Sequence, residues 1–550
     1  MKSSKIEQFI TTWHKIPELA FMNTLAKKYP KAEFFLVGGM VRDLLLDKDS
    51  QDFDFVVRHI PIKKLEGELA RLGKVSLVGK TFGVLKFRPK NSRLGHEIDI
   101  ALPRTEIAYK TGRYKDVTVK SHHETLIEDD LSRRDFTINA MALKLKSQAP
   151  NPKSQTKLKN SKLEIDSKLE IGNPPAGEAG WKLLIDPFGG MKDLKAKKIR
   201  AVGKPGERFQ EDYSRMLRAL RFSLQLGFSI EGATLKALKQ KISRLNQKDA
   251  GEYLVPREVI AKEMVKMFLL NPVASLKILD ATGALKALIP ELLTMKKCPQ
   301  PKQFHSEGDV WEHTLLALQK LYSEEFFKEF SDIIKLKNYE LRITNYEKKS
   351  AIRNPQSAIS NELIWAVLFH DLGKPYTMTK TDRIRFNGHD IKSAKLFSEI
   401  AQRLKLSSAG LDVEKTRELI AKHMILSHGN IKDMKETTVE KYFFNENFPG
   451  AELLMESFAD VSATIPMSGK PDFTKYTMLK KRILVLQKKM KSKKSLPKPL
   501  LDGNDIMKIL KLKPGPEIGK IKSVIREEQL KGSVQTPQEV KNFILKKFKK

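Results

Sequence analysis

Residues 34–57 read FFLVGGMVRDLLLDKDSQDFDFVV, and the order of residue types in this stretch decides the fold. An apolar run at 34–37 has the character of a strand, and the glycine pair Gly38 and Gly39 breaks it. Residues 40–46 then have the spacing of a short helix, and 52–57 return to strand-like alternation. Strand, tight turn, helix and second strand in direct succession put the glycines at the mouth of the helix. There the backbone can approach a phosphate closely, because glycine lacks a Cβ and the first turn of a helix leaves its N–H donors unpaired. Asp52 and Asp54 are two apart on the second predicted strand. Both carboxylates are therefore expected on one face, where a pair can hold two hard cations. Cations held that way activate a hydroxyl and neutralise a leaving pyrophosphate in an in-line displacement. An isolated Asp-x-Asp is more often the solvated face of a strand; a preceding Gly-Gly-x-x-Arg-Asp changes those odds.

Outward from this stretch, the runs AEFFLVGG, DFDFVV, GVLKFRP and HEIDIAL alternate with short helical patterns between about residues 30 and 145. They predict a mixed α/β domain containing a sheet. Asp99, in HEIDIAL, falls on another predicted strand and is a candidate third carboxylate. From about residue 205 strand signals fade. Apolar residues recur at three- and four-residue spacing instead, as in EDYSRMLRALRFSLQLGF and REVIAKEMVKMFLL, so the remainder is expected to be mostly helical. Two stretches break the pattern: 146–180, rich in Lys, Ser, Asn and Pro with SKLEI repeated, and about 336–360, which has no amphipathic face. Both read as insertions.

Composition limits the partners. A chain of 550 residues exceeds one core and implies two to four domains. The excess of 101 Lys+Arg over 66 Asp+Glu, a formal charge of +35, draws polyanions and makes nucleic acid the first partner to test. No apolar run is long enough to span a bilayer, and the N-terminus lacks the apolar core and cleavage site of a secretory signal, so no membrane partner is expected. Cys298 is the only cysteine, which excludes an intrachain disulfide and a thiolate zinc cluster and fits a reducing cytoplasm. No oligomeric state is read from the sequence.

LVGGMVRDLLL followed by DFDF resembles the nucleotidyltransferase motif of the DNA polymerase β superfamily, in the variant shared by bacterial tRNA nucleotidyltransferases and poly(A) polymerases. The resemblance implies Mg2+ at Asp52 and Asp54 as the catalytic pair, and nucleotide contacts from Gly38, Gly39 and Arg42. Further matches follow in the family's order. DLSRRDFTINAMA implies ribose and triphosphate contacts from Arg134, Asp135 and Asn139, with Arg133 assisting. IDPFGGMKDLKAKKIR resembles the segment that closes the catalytic head. In ERFQEDYSRMLRALRF, Asp212 and Arg215 share a face if the segment is helical. The resemblance makes them the readers of the incoming base, with Glu211 orienting the arginine and with Arg218 and Arg221 bracing the helix or meeting phosphate. RTEIAYKTGRYKDVTVKSHHE resembles the flexible loop that helps relatives switch from C to A addition, which favours addition of the full CCA.

Six of the 11 histidines fall between residues 305 and 428, and one reads His370-Asp371 in WAVLFHDLGKP. Imidazoles and carboxylates gathered from separate helices suit a divalent transition metal. With His313, His389, His423 and Asp460 the set resembles the HD phosphohydrolase domain, with His305 and His428 at its margin. That implies possible hydrolysis of RNA 3′ ends or 2′,3′-cyclic phosphates. KPLLDGNDIMKILKLKPGPEIGKIKSVIREEQL resembles the helical segment that follows this domain.

Together these readings predict an α+β protein. A polymerase-β-like head with a mixed sheet is expected over 1–145, completed at 181–200 after the insertion at 146–180. A helical neck at 201–295, an HD domain at 296–470 and a helical tRNA-binding region at 471–550 follow. The resemblance implies a cytoplasmic, ATP- and CTP-using enzyme that adds CCA to the 3′ end of tRNA. The rivals are a poly(A) polymerase or an A-adding relative and, in another class, an HD phosphohydrolase whose head only binds RNA.

Overall fold

The computed structural model describes residues 4–50, 52–78, 83–90, 92, 94, 96–109, 111–113, 116–145, 183–331, 359–427, 430–489 and 496–548. The expected insertion at 146–180 lies outside them, as does all of 336–360 except Ile359 and Ser360, and so does His428. The described residues form two compact units. One holds 4–270 and 277–288, the other 271–276, 289–331 and 359 onward.

In the first unit nine strands matter for the site: β1 (Glu33–Val37), β2 (Asp54–Arg58), β3 (Gly73–Val78), β4 (Val84–Pro89), β5 (Ile98–Ala101), β6 (Arg104–Ala108), β7 (Val117–Ser121), β8 (Ala142–Leu145) and β9 (Leu184–Ile185). Seven make one mixed sheet in the order β3-β4-β5-β2-β1-β8-β9, with β2 and β5 parallel and the other pairs antiparallel. β6 and β7 form a separate hairpin. After Glu33 the interior strand β1 is apolar because both faces are covered. On one side Phe35, Val37 and Val56 pack with Ile127 and Leu131 of α2 (Ile127–Ser132). On the other, the ring of Phe21 meets Phe55 and Phe87 at 6.3 and 5.1 Å between centroids. Phe55 is fully buried in that stack, so its truncation to alanine is expected to cost about 3–5 kcal/mol. The packing fixes the height at which β2 opens, and with it the position of Asp54.

Between β1 and β2 runs α1 (Gly39–Leu45). Further on, the helices α3 (Pro205–Glu211), α4 (Ser214–Leu226) and α5 (Arg257–Leu270) complete the unit, and α4 packs on α5.

The second unit is built mainly of helices, with one short antiparallel pair of strands at 379–380 and 384–385: α6 (Val310–Lys320), α7 (Asn361–Phe369), α8 (His389–Leu404), α9 (Val413–Lys422) and α10 (Gly450–Ala463) line its centre. Residues 363–369 of α7 are buried on all sides, and α7 packs on α6, α8, α9 and α10 as the central rod. The tail, α11 (Gly503–Leu510), α12 (Pro516–Lys531) and α13 (Pro537–Phe548), has its own apolar core of Ile506, Ile521, Ile525, Val540 and Ile544. An α+β head with a mixed sheet, followed by helices, is the class the sequence predicts.

Candidate functional sites

β2 opens at Asp54; Asp52 lies two residues ahead of the strand, not within it as expected. The ladder explains the difference. β1 pairs with β2 from Glu33↔Arg58 to Leu36↔Phe55, and the chain then turns away at Gly38, so Asp52 has no strand beside it on that edge. The alternation still holds through buried Phe53, and Asp52 and Asp54 line one cavity. In the parallel register Asp54 sits beside Asp99, whose Oδ1 accepts from Lys86 Nζ at 2.8 Å. Burial, then the charges of Asp52 and Asp99, push the Asp54 carboxyl up to about 7. A buried carboxyl raised by two neighbouring carboxylates is the electrostatic state that a bound cation relieves, so the donor set fits Mg2+.

Gly38 turns the chain at φ +74°, and a Cβ there would stand 3.0 Å from Arg134 Nη1. Glycine is needed for the backbone angle and for this close approach. Arg134 pairs with buried Asp130 at 3.2 Å, and Arg133 pairs with the same carboxylate at 2.7 Å. Arg42 donates to Asn139 Oδ1 at 2.8 Å. Asp135 is buried and accepts from Arg218 Nε at 2.8 Å and from its own neighbours, the Phe136 N–H and Asn139 Nδ2. Its carboxylate is thus largely committed to holding Arg218 in place. Arg221 donates to Glu263 on α5 at 2.5 Å and lies over the Phe222 ring at 4.2 Å. Asp130 and Glu263, the anchors of these arginines, are absent from the sequence reading: Asp130 stands three and four residues before its partners, a spacing that was available as a signal, whereas Glu263 gives no local sign that it will meet a guanidinium 42 positions away.

Asp212 departs from expectation. It does not lie on a helix: α3 ends at Glu211 and α4 begins at Ser214, leaving Asp212 extended at φ −159°, ψ 105°. Its carboxylate accepts from the Ser214 N–H at 2.8 Å, a cap-like bond that competes with helix continuation. Arg215 comes within only 4.0 Å of Asp212, and Glu211 accepts from it at 2.8 Å, so Glu211 fixes the guanidinium while Asp212 stays available. The hairpin β6–β7 reaches this junction. Gly112 donates to Gln210 O at 2.7 Å and accepts from Tyr213 N at 3.1 Å, on either side of Asp212.

All these groups line one cavity of about 710 Å³: Gly38, Gly39, Arg42, Asp52, Asp54, Arg134, Asp135, Asn139, Asp212, Arg215, Arg218 and Arg221, among others. Its wall carries carboxylates at one place and seven arginines around them. Such a surface suits a polyanion held beside cations.

In the second unit the helices bring His313 (α6), His370 and Asp371 (end of α7), His389 (α8), His423 (end of α9) and Asp460 (α10) together. Nδ1 of His370, His389 and His423 each donates to a backbone carbonyl, of Val367, Phe386 and Ile420, at 2.7–2.8 Å. His313 Nδ1 meets Glu307 at 2.9 Å. A carbonyl can only accept, so the three backbone bonds fix the tautomer and leave each Nε2 lone pair facing inward, the arrangement metal-binding histidines take. His389 and His423 oppose Nε2 to Nε2 at 3.1 Å, and burial, then the neighbouring imidazoles of His370 and His389, lowers His423 to about 3. Two such lone pairs face one another comfortably only across a proton or a cation. His313 Nε2 lies 2.9 Å from Asp460, and His370 Nε2 lies 3.3 Å from Asp371. Although burial opposes it, His370 and Lys374 hold Asp371 well below the usual carboxylate range. The donor set therefore fits a transition metal. The glycine of HDLGK also gains a reason: a Cβ on Gly373 would lie 2.2 Å from the His389 carbonyl, so only glycine lets α8 approach.

His305 bonds Glu307 at 2.7 Å and belongs to the shell behind His313. Two residues of this centre, Glu307 and Glu456, escaped the sequence reading, and a third, Lys374, stood in the HDLGK string without a role read for it. Glu307 stands six before His313, Lys374 closes the HDLGK string with its Nζ 2.6 Å from Asp371, and Glu456 is buried one turn before Asp460, with burial first and then Asp460 and Asp371 raising its carboxyl to about 8. The four-residue spacing of Glu452, Glu456 and Asp460 on an otherwise apolar helix was the available signal.

Residues 34–152 match the Poly A polymerase head domain and residues 345–444 the HD domain. The chain is 31% identical over 415 residues to the multifunctional CCA protein of Alcanivorax borkumensis, covering 74% of this chain and 78% of that protein. It is 28% identical over 424 residues to the A-adding tRNA nucleotidyltransferase of Deinococcus radiodurans, covering 76% and 79%. Among solved structures, the apo form II of a CCA-adding enzyme superposes with a TM-score of 0.57 at 20% identity, over 98% of this chain and 96% of that one. The Bacillus stearothermophilus CCA-adding enzyme in complex with CTP gives 0.54 at 19% identity, over 96% of each chain. These two share the fold. With a paired-carboxylate head and an HD centre on the page, and a relative above 30% identity matched over most of its length, the chain belongs to the tRNA nucleotidyltransferase family of the multifunctional CCA proteins.

Proposed function

We propose that this chain adds CMP, CMP and AMP to the 3′ end of tRNA from CTP and ATP, releasing pyrophosphate. The observation that carries the reading is the convergence of Asp52, Asp54, the Gly38 turn, Asp212 and Arg215 on one arginine-lined cavity. In this reading the N–H groups at the mouth of α1, with Arg42 and Arg134, bind the triphosphate. Asp212 offers acceptors and Arg215, steadied by Glu211, offers donors to the Watson–Crick edge of C or A. Arg218 and Arg221, tied to Asp135 and Glu263, hold the wall behind the nucleotide. Asp52 and Asp54, with Asp99 alongside, would hold two Mg2+ ions, which when bound supply the charge that activates the 3′-hydroxyl and neutralises the leaving pyrophosphate.

The domain plan is part of the proposal: head over 1–145 and 181–200, neck over 201–295, HD domain over 296–470, tRNA-binding tail over 471–550. No helix among the described residues is long and apolar enough to cross a membrane, and a single buried cysteine fits the cytoplasm. The HD centre is assigned a transition metal and phosphohydrolysis of RNA 3′ ends or cyclic phosphates. An A-only reading is kept because one relative carries that name.

The deciding experiment gives the purified chain tRNA lacking CCA, and tRNA ending in CC, with CTP and ATP separately and together. Two added nucleotides with CTP alone and three with both support the proposal. Addition only to the CC-ended tRNA identifies an A-adder, and a long adenylate tail a poly(A) polymerase. Hydrolysis without any incorporation would leave only the HD reading.

A further inference from the structure

One side chain at the histidine-rich centre has no partner. Glu456 is 1% exposed, and neither carboxylate oxygen has a hydrogen-bond partner among the described residues. It precedes Asp460 by four residues on α10 and therefore shares its face, one turn away. The charged groups that act on it are His370, Asp460 and Asp371. Folded proteins satisfy a buried carboxylate with a donor or a cation. The next acid on the same face shows the first solution: Glu452 takes Lys415 Nζ at 3.0 Å. Among the described residues Glu456 has no such cation, yet it stands one turn before Asp460, whose carboxylate lies 2.9 Å from His313 Nε2 and 3.6 Å from His370 Nε2. Of the centre's two carboxylates, Asp371 is partly neutralised by Lys374 at 2.6 Å.

We propose that Glu456 is a further oxygen ligand of the cation centre formed by His313, His370, Asp371, His389, His423 and Asp460. This rests on reading that centre as cation-binding. A buried acid with only a packing role would behave like its amide; a ligand would not, because the neutral carboxamide is a far weaker donor to a divalent ion.

The test uses the full chain, stripped with chelator and titrated with Co2+, reading the visible bands of imidazole-bound cobalt together with metal content by mass spectrometry. Glu456→Gln, Glu456→Met and Asp371→Asn are compared with the unaltered chain. Glu456→Gln and Glu456→Met should each weaken Co2+ binding at least about tenfold, the scale on which metal sites lose affinity when even supporting groups are removed. CTP incorporation by the head should stay unchanged, and metal-free Glu456→Met should melt no lower than the unaltered chain, since a partnerless acid is replaced by an apolar side chain. Should Glu456→Gln fail to fold, Glu456→Met decides alone. Co2+ affinity within twofold of the unaltered chain in the Glu456 variants, with binding lost in Asp371→Asn, overturns the proposal and leaves the cation centre standing. Absence of imidazole-bound cobalt in the unaltered chain overturns both.

Discussion

The two candidate centres meet a similar demand, cations beside phosphate, with opposite construction. In the head, carboxylates come from the open end of a strand, and seven arginines surround them in a wide cavity. In the HD centre, buried imidazoles carry most of the ligand set, each with its ring fixed by a hydrogen bond behind it. The first arrangement binds hard, hydrated ions weakly and depends on the substrate's own phosphates to complete the site. The second is arranged without any ion, and its donors suit a softer metal. A site that uses substrate as a ligand has to stay open, whereas one built on preset imidazoles can close around its metal.

That contrast breaks most sharply at Asp54. Asp54→Ala should reduce nucleotide incorporation at least about a thousandfold, the scale on which removal of a central electrostatic group acts, while Co2+ uptake at the HD centre is unchanged. Loss of both together would show that the centres are not chemically independent. The next effect is on stability. Asp130 is fully buried between Arg133 and Arg134, and although burial opposes it, those arginines hold its carboxyl below the ordinary 3.8. Asp130→Asn removes the carboxylate that Arg134 pairs with and one of the two that Arg133 pairs with, the other being Glu106, and should cost about 3 kcal/mol. A depressed carboxyl stabilises the fold above its unfolded pKa and ceases to do so as pH falls through its folded value. The difference between variant and unaltered chain, read by chemical denaturation, should therefore be full at pH 7 and shrink below about pH 4. A gap that is constant with pH would mean that packing, not charge, is lost. Smaller again is the effect of Arg215→Ala. Removing one donor pair from a base-reading site is worth about 1–3 kcal/mol. Misincorporation of UTP and GTP should accordingly rise about ten- to a hundredfold relative to CTP and ATP; unchanged selectivity would take Arg215 out of base reading.

The sequence shows what depends on local period and hides what depends on distant partners. The paired acids, the glycine turn and the HD string were legible because spacing two on a strand, or a turn residue at a helix mouth, is a local property. Where β2 begins was not, because Asp52 lacks a ladder neighbour only once β1 has turned away at Gly38. Asp212 was placed on a helix because the apolar spacing runs on unbroken through EDYSRMLRAL, while the bond from the Ser214 N–H to its carboxylate that ends α3 has no period at all. Glu263 acts on a partner given by the fold, Arg221, which is 42 positions away, whereas Asp130 stood at helical spacing from Arg133 and Arg134 and could have been found.

Glu307 offers the finest test of the contrast, because it never reaches the inner face of the HD centre. Its Oε1 accepts from His305 and His313, and its Oε2 takes the Ile465 N–H at 3.0 Å, so it fixes the His313 ring from behind. Burial works against ionisation, but the bonds from His305 and His313 hold its carboxyl down to about 2. It is therefore an anion across the working pH range, and that charge strengthens His313 Nε2 as a donor. Glu307→Gln keeps the shape and an accepting oxygen but removes the charge. Co2+ affinity should fall about tenfold, the lower end for such supporting groups, with metal stoichiometry and CTP incorporation unaltered. No change in affinity would mean that ring orientation alone prepares His313; loss of metal altogether would mean that the negative charge, not the geometry, is what the centre chiefly needs from this residue.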